Sequence, residues 1–258
     1  MIKTNLSDTS FLIPLRIDSE DRLCNIRIVL HYLRQWFHTQ VYVYESDSTP
    51  KLGESLRKNI HYQFSPSKEP IFRRTEVGNR MIVDSQTPIV VLYDADVIVP
   101  AAQLLRIVGL IRQGECRAGL PYDGRFVEVD KYNKRLFGSC LDPGFLQDGN
   151  ALFRINTYNS NGGCIVLDRR TYMNCGMENE HISGWGHEDA ERVKRLETLG
   201  IPVRRTAGAL YHLHHVRNRN SFFFDSKMAD NSFETYFKTC ASGREQLEAE
   251  ISTWPWKK

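Results

Sequence analysis

The sequence has 258 residues, 25% of them charged and 41% hydrophobic, with a formal net charge of +3. That length fits one large domain, and the composition is that of an ordinary soluble globular chain. The small charge gives no argument for a nucleic-acid partner. No apolar run is long enough to span a bilayer, and the first residues lack the apolar core of a signal peptide, so the expected location is the cytoplasm.

The predicted elements alternate. Ser10–Pro14 reads as a first strand, followed by a charged turn in which Asp18 or Ser19 can cap a helix. That helix carries Leu23, Ile26, Val29, Leu30, Leu33 and Phe37 at helical spacing. Val41–Tyr44 is the second strand, so the chain starts as β-α-β, the beginning of a parallel sheet. Lys51–Lys58 predicts a short helix, Ile60–Phe64 a third strand and Arg73–Val83 another helix.

Ile89–Tyr93 is a β-branched apolar run of the kind buried on both faces. It ends in two acids, Asp94 and Asp96, and ligand sites of open α/β sheets lie just beyond such strand ends. A buried acid pair needs a cation or shared protons, and hard oxygen ligands suit Mn2+ or Mg2+, which in turn suit a diphosphate. A loop with two solvated aspartates is the plain alternative.

Pro100 opens a further helix, closed at Gly114. Arg117–Tyr122 and Phe126–Val129 are strand candidates, and the stretch 138–150 reads as a loop. Asn161-Gly162-Gly163 leads into a strand at Cys164–Leu167, and a short helix follows Asp168-Arg169-Arg170. Glu188–Leu199 predicts a helix, Val203–Arg205 and Ala209–Leu213 late strands, and Ser226–Ser252 one or two amphipathic helices. The six cysteines are scattered, without a C-x-x-C pair, and read as reduced thiols.

Two further segments carry chemistry. In Gly184-Trp185-Gly186-His187-Glu188-Asp189, two glycines flank a large aromatic and two acids open a helix. Acids are favoured there by the helix dipole alone, but the glycines need close approach or special backbone angles. Trp185 would offer a face to a sugar ring, and an acid beside it could take a proton from a hydroxyl. In His212-Leu213-His214-His215, strand alternation puts His212 and His214 on one face. One imidazole added to the aspartates would complete a mixed N/O site suited to Mn2+, whereas a histidine pair could instead hold zinc.

Asp94-Ala95-Asp96, Asn161-Gly162-Gly163, Cys175-Gly176-Met177, the Gly184–Asp189 segment and the late histidines, in that order, resemble nucleotide-sugar glycosyltransferases of the GT-A fold. The likeness is to the galactosyltransferase-type C-terminal motif G-W-G-x-E-D of β-1,4-galactosyltransferases, with related forms in polypeptide N-acetylgalactosaminyltransferases and bacterial chondroitin polymerases. It covers about residues 10–215.

The resemblance implies an α/β, Rossmann-like fold with a mixed, mostly parallel central sheet flanked by helices, plus a C-terminal helical tail. It implies one domain over 1–258: a nucleotide-binding half at 1–115, an acceptor and catalytic half at 116–220, and a tail at 221–258. Asp96 and Asp94, with His212, His214 or His215 as the further ligand, would hold Mn2+ or Mg2+. Pro14, Arg16, Asp18, Arg74, Asn79, Asp94 and Ala95 would meet the nucleotide. Asp189 would be the general base and Glu188 a sugar contact, with Trp185, Gly186, Gly162 and Gly163 lining the sugar site. The implied activity is metal-dependent transfer of a Gal, GalNAc or Glc-type sugar from a UDP-sugar to a carbohydrate or glycolipid hydroxyl with inversion, in polysaccharide or glycoconjugate synthesis. A glycolipid acceptor would bring peripheral association with the inner membrane. The stretches 138–150 and 216–224 are candidate lids. Two alternatives remain: a non-catalytic carbohydrate-binding protein of the same fold, and an aspartyl-phosphate phosphatase, whose D-x-D-x-T/V motif is departed from at Ile98.

Overall fold

Buried apolar strands set the centre of the molecule. The computed structural model describes residues 3–149 and 153–257. Strand β1 (Thr4–Leu15) lies between β2 (Phe37–Asp47) and β4 (Ile89–Tyr93), parallel to both. All five residues of β4 are buried, as their β-branched run predicts. The main sheet has seven strands in the order β10-β6-β9-β4-β1-β2-β3, where β3 is His61–Pro66, β6 Ala118–Leu120, β9 Cys164–Asp168 and β10 Val203–Arg205. Only β9 runs against its neighbours β4 and β6. The expected α/β fold with a mixed, mostly parallel sheet flanked by helices is therefore what the chain adopts.

The helices follow local signals. Helix α1 (Glu20–Trp36) starts at Ser19, whose side chain accepts from the Arg22 N–H, with Glu20 and Asp21 in the first turn. A short α2 (Glu54–Arg57) precedes β3, and α3 (Arg74–Asp84) runs from the cleft edge back to β4. Helix α4 (Ala101–Arg112) starts after Pro100.

A second sheet positions the site. Its order is β5-β11-β7-β8, with β5 at Val97–Ile98, β7 at Phe126–Val129, β8 at Arg154–Thr157 and β11 at Leu210–Leu213. The register pairs His212 with Val97 on one side and with Glu128 on the other. The Leu213 N–H also donates to the Asp96 carbonyl at 2.8 Å. Residues more than a hundred positions apart thus meet through strand pairing.

The stretch expected to be a loop at 138–150 is mostly helical. Helix α5 (Lys131–Cys140) is capped by Asp130, and α6 (Pro143–Asp148) by Asp142 with Pro143 in its first turn. Few buried apolar residues mark these helices, so their periodicity is faint. Asn150 lies outside the described residues. After α7 (Arg169–Asn174) and α8 (Glu188–Thr198), the tail forms α9 (Ser226–Ala241) and α10 (Arg244–Thr253).

Candidate active site

The carboxyl ends of β1 and β4 open into a cleft of about 420 Å³. Pro14, Leu15 and Arg16 form one wall, and Asp94, Ala95 and Asp96 the floor. Gly162 and Gly163, the segment from Gly184 to Ala190, and His212 and His215 complete it.

Asp96 is buried beside two imidazoles. Its Oδ2 lies 3.3 Å from His215 Nε2 and 3.8 Å from His212 Nε2, and these three residues form a group able to hold a metal ion. His212 Nδ1 lies 2.7 Å from Glu128 Oε2, and His215 Nδ1 lies 2.9 Å from the Val216 carbonyl. In the neutral imidazoles, the two ring nitrogens facing Asp96 are then the ones that carry a lone pair for an ion. One carboxylate and two imidazoles make the N/O set that fits Mn2+ or a similar divalent ion. Arg22 Nη1 also reaches Asp96 Oδ2, at 3.0 Å. Burial alone would raise the Asp96 carboxyl, but His212, His215 and Arg22 hold it well below the usual range. Burial pulls His212 down, yet Asp96 and Glu128 outweigh it and raise the imidazole.

The other side of the cleft holds a chain of acids and arginines. Arg74, at the start of α3, bridges Asp94 (2.6 Å) and Glu188 (3.2 Å). Burial pushes Asp94 up to about 6 against the pull of Arg74. Burial and the Asp189 charge push Glu188 up to about 8. Glu188 Oε2 is buried and accepts no hydrogen bond from the described protein. Asp189 Oδ1 pairs with Arg192 at 2.9 Å, and Arg192 is itself clasped by Glu178 at 2.7 and 2.8 Å.

The structure sorts the residues expected here. Pro14, Arg16, Arg74, Asp94, Ala95, Asp96, Gly162, Gly163, Trp185, Gly186, Glu188, Asp189 and His212 all line the cleft. Asp18 does not line it, but holds Arg22 at 3.1 Å and Asn220 at 3.2 Å, at its edge.

Three further expected residues stand elsewhere than expected. His214 stands outside the group able to hold a metal ion. Strand β11 ends at Leu213, so the alternation that paired it with His212 stops, and His215 turns in instead. The His214 backbone meanwhile bonds Val129, Lys134 and Asn25. Asp94 stands outside the metal group and serves as the partner of Arg74. Asn79 is buried away from the cleft, where its side chain grips the Glu178 backbone in both directions, at 2.9 and 2.8 Å.

The glycines answer to protein neighbours. A Cβ on Gly162 would strike Asp189 Oδ2, and one on Gly186 would strike Ser232 Oγ of α9. Gly184 has φ +72°, a backbone region that favours glycine. Trp185 is 43% exposed and packs edge-on against Phe223 at 4.9 Å. Sequence reasoning missed Arg22, Glu128 and Arg192. Arg22 carries a faint signal, being one turn beyond Asp18 in the first turn of α1.

Residues 150–218 match the protein family described as the N-terminal domain of galactosyltransferase. No curated protein matches the chain. Among solved structures, the catalytic domain of Drosophila β1,4-galactosyltransferase 7 in complex with xylobiose is 16% identical, with TM-score 0.51, over 92% of this chain and 82% of that one. Glucosyl-3-phosphoglycerate synthase from Mycobacterium tuberculosis, in complex with Mn2+, UDP and phosphoglyceric acid, is 14% identical, with TM-score 0.55, over 90% and 78%. A mannosyltransferase from Pyrobaculum calidifontis in complex with GDP-Man and Mn2+ is 15% identical, with TM-score 0.56, over 97% and 71%. At such identities the structural likeness is one of fold. Fold and family match together bear out the resemblance to GT-A glycosyltransferases, and the matched segment carries both Gly184–Asp189 and the histidines.

Proposed function

We propose that this GT-A glycosyltransferase chain moves a Gal, GalNAc or Glc-type sugar from a UDP-sugar to a hydroxyl of a carbohydrate or glycolipid, with inversion. The observation that carries the reading is one cleft holding the Asp96–His212–His215 group and, with it, the acids Glu188 and Asp189. The Mn2+ and nucleotides of the Mycobacterium and Pyrobaculum complexes, and the sugar of the Drosophila complex, support it.

Asp96, His212 and His215 would hold the ion, with Arg22 adding positive charge beside them. A bound divalent ion supplies charge to offset that developing on the leaving diphosphate. Asp189 takes the proton of the acceptor hydroxyl as its oxygen attacks the anomeric carbon. The bond to the diphosphate breaks with its electron pair on the phosphate oxygen. Arg192, bound to Asp189 Oδ1, fixes this carboxylate in place. Glu188, with one buried oxygen lacking a protein partner, would bond a sugar hydroxyl.

The product would enter a polysaccharide or glycoconjugate. A glycolipid acceptor would place the protein at the cytoplasmic face of the inner membrane. Among the described residues no helix is long and apolar enough to cross a membrane.

The test is a panel of UDP-Gal, UDP-GalNAc and UDP-Glc with and without Mn2+, read by thermal shift and UDP release. Saturating ligand at about 100 times Kd adds about 2.7 kcal/mol of stability, an easily visible rise. A flat response to every donor would sink the reading. Glycan binding without UDP release would favour the non-catalytic carbohydrate-binding protein.

A further inference from the structure

We infer that Glu128 is the positioning residue for the metal ligand His212. The inference rests on the metal reading above, and nothing in the family resemblance assigns Glu128 a role. The parallel register of β7 and β11 puts Glu128 directly beside His212. Along β7 the pattern alternates: Val127 and Val129 are core residues, while Phe126 and Glu128 face the other way. The Phe126 ring lies 5.1 Å from the His212 ring.

Glu128 Oε2 is 2.7 Å from His212 Nδ1. An ionised carboxylate only accepts, so the proton of the neutral imidazole sits on Nδ1. The lone pair then sits on Nε2, the nitrogen that looks toward Asp96. The carboxylate also makes the imidazole a stronger donor and prevents the ring from turning. His215 obtains the same result from a backbone carbonyl, so Glu128 is the one side chain in this pair of supports that a substitution can remove. Its second oxygen lies 3.4 Å from Arg217 Nη2, which steadies the carboxylate. Glu128 itself is not among the residues that line the cleft.

The experiment measures Mn2+ affinity directly, from the electron paramagnetic resonance signal of free Mn2+, without nucleotide or acceptor. Glu128→Ala should weaken Mn2+ binding about 10–100-fold. Glu128→Asp keeps the charge but loses the reach, and should weaken binding by a comparable factor. The metal-free melting temperature should stay near that of the native protein, because Glu128 is partly exposed and its loss opens no core cavity. Affinity within about twofold of native in either folded variant overturns the inference, and so does full rescue by aspartate, which would mean that charge alone matters. If Glu128→Ala fails to fold, Glu128→Asp carries the test. Native protein that binds no Mn2+ overturns the metal reading and this inference with it, a result distinguishable before any variant is made.

Discussion

Replacing Arg192 with methionine should cost the fold about 3–5 kcal/mol, the usual penalty for stranding one member of a buried ion pair. Arg192 and Glu178 are only 3% and 5% exposed, and the guanidinium meets the carboxylate through two bonds at 2.7 and 2.8 Å. Without it Glu178 keeps only the Tyr172 hydroxyl, a neutral donor, against its side chain. At roughly 2–4 °C per kcal/mol for a chain near this size, the melting temperature should fall by about 6–20 °C. Urea unfolding at pH 7 measures the loss, and an unchanged slope shows that stability alone has moved. The second arm is Glu178→Gln on the same background. Removing both charges should recover at least about 2 kcal/mol, as expected for directly coupled residues. Acid gives a further check. Burial raises the Glu178 carboxyl, but Arg192 more than offsets it and the folded value is lowered. The pair's contribution is therefore present above the unfolded carboxylate value and is lost as pH falls through the lowered folded one. The gap between native protein and variant should narrow on acidification. A single-variant loss below about 1 kcal/mol, or strict additivity in the double variant, would refute the account.

Other outcomes follow from the same geometry. Asp189→Asn should leave Mn2+-dependent UDP binding near native and lower transfer by about 10²–10⁴-fold, measured as UDP release with acceptor present; unchanged transfer removes Asp189 as the base. Glu188 has its folded value raised to about 8, so the folded state holds its proton over a range where the unfolded chain has lost it. Its contribution is present below the unfolded value and is lost as pH rises toward about 8. Native protein should therefore lose stability relative to Glu188→Gln between about pH 5 and pH 8, and parallel melting curves would contradict this. Gly186→Ala forces a methyl onto Ser232 of α9 and should cost about 1–3 kcal/mol, read by thermal melting. No loss would mean that α9 does not press on this loop.

The sheet was legible because its strands are apolar runs between clear punctuation. Ile89–Tyr93 could scarcely be anything else, and the acids after it mark the end of a central strand. The acid pair on α8 was legible from the company it keeps, a tryptophan between glycines. What stayed hidden depends on register. Nothing local says that His215 turns toward Asp96 while His214 turns away, because that is decided by where β11 stops pairing with β7. Glu128 lies in a short strand candidate, and nothing local names His212 as its neighbour on the partner strand. Nothing local pairs Arg192 with Glu178, and only the fold shows them buried against each other. The glycines were legible as special positions, but Gly162 and Gly186 approach protein groups.

The tail helices change what counts as the catalytic unit. Ser232 Oγ meets both the backbone and the ring of His187, Asn231 holds the His181 carbonyl, and Thr239 reaches Glu191. Trp254 covers Gly176, and the Trp256 indole donates to its carbonyl. Every one of these contacts falls on the segment from Gly176 to Glu191, which also carries Glu188 and Asp189. The last stretch of chain is a buttress, and the acid pair is held in part by residues that do not line the cleft. Tail and cleft form one mechanical unit, so a change in how α9 packs would be felt as a change in where Glu188 and Asp189 sit.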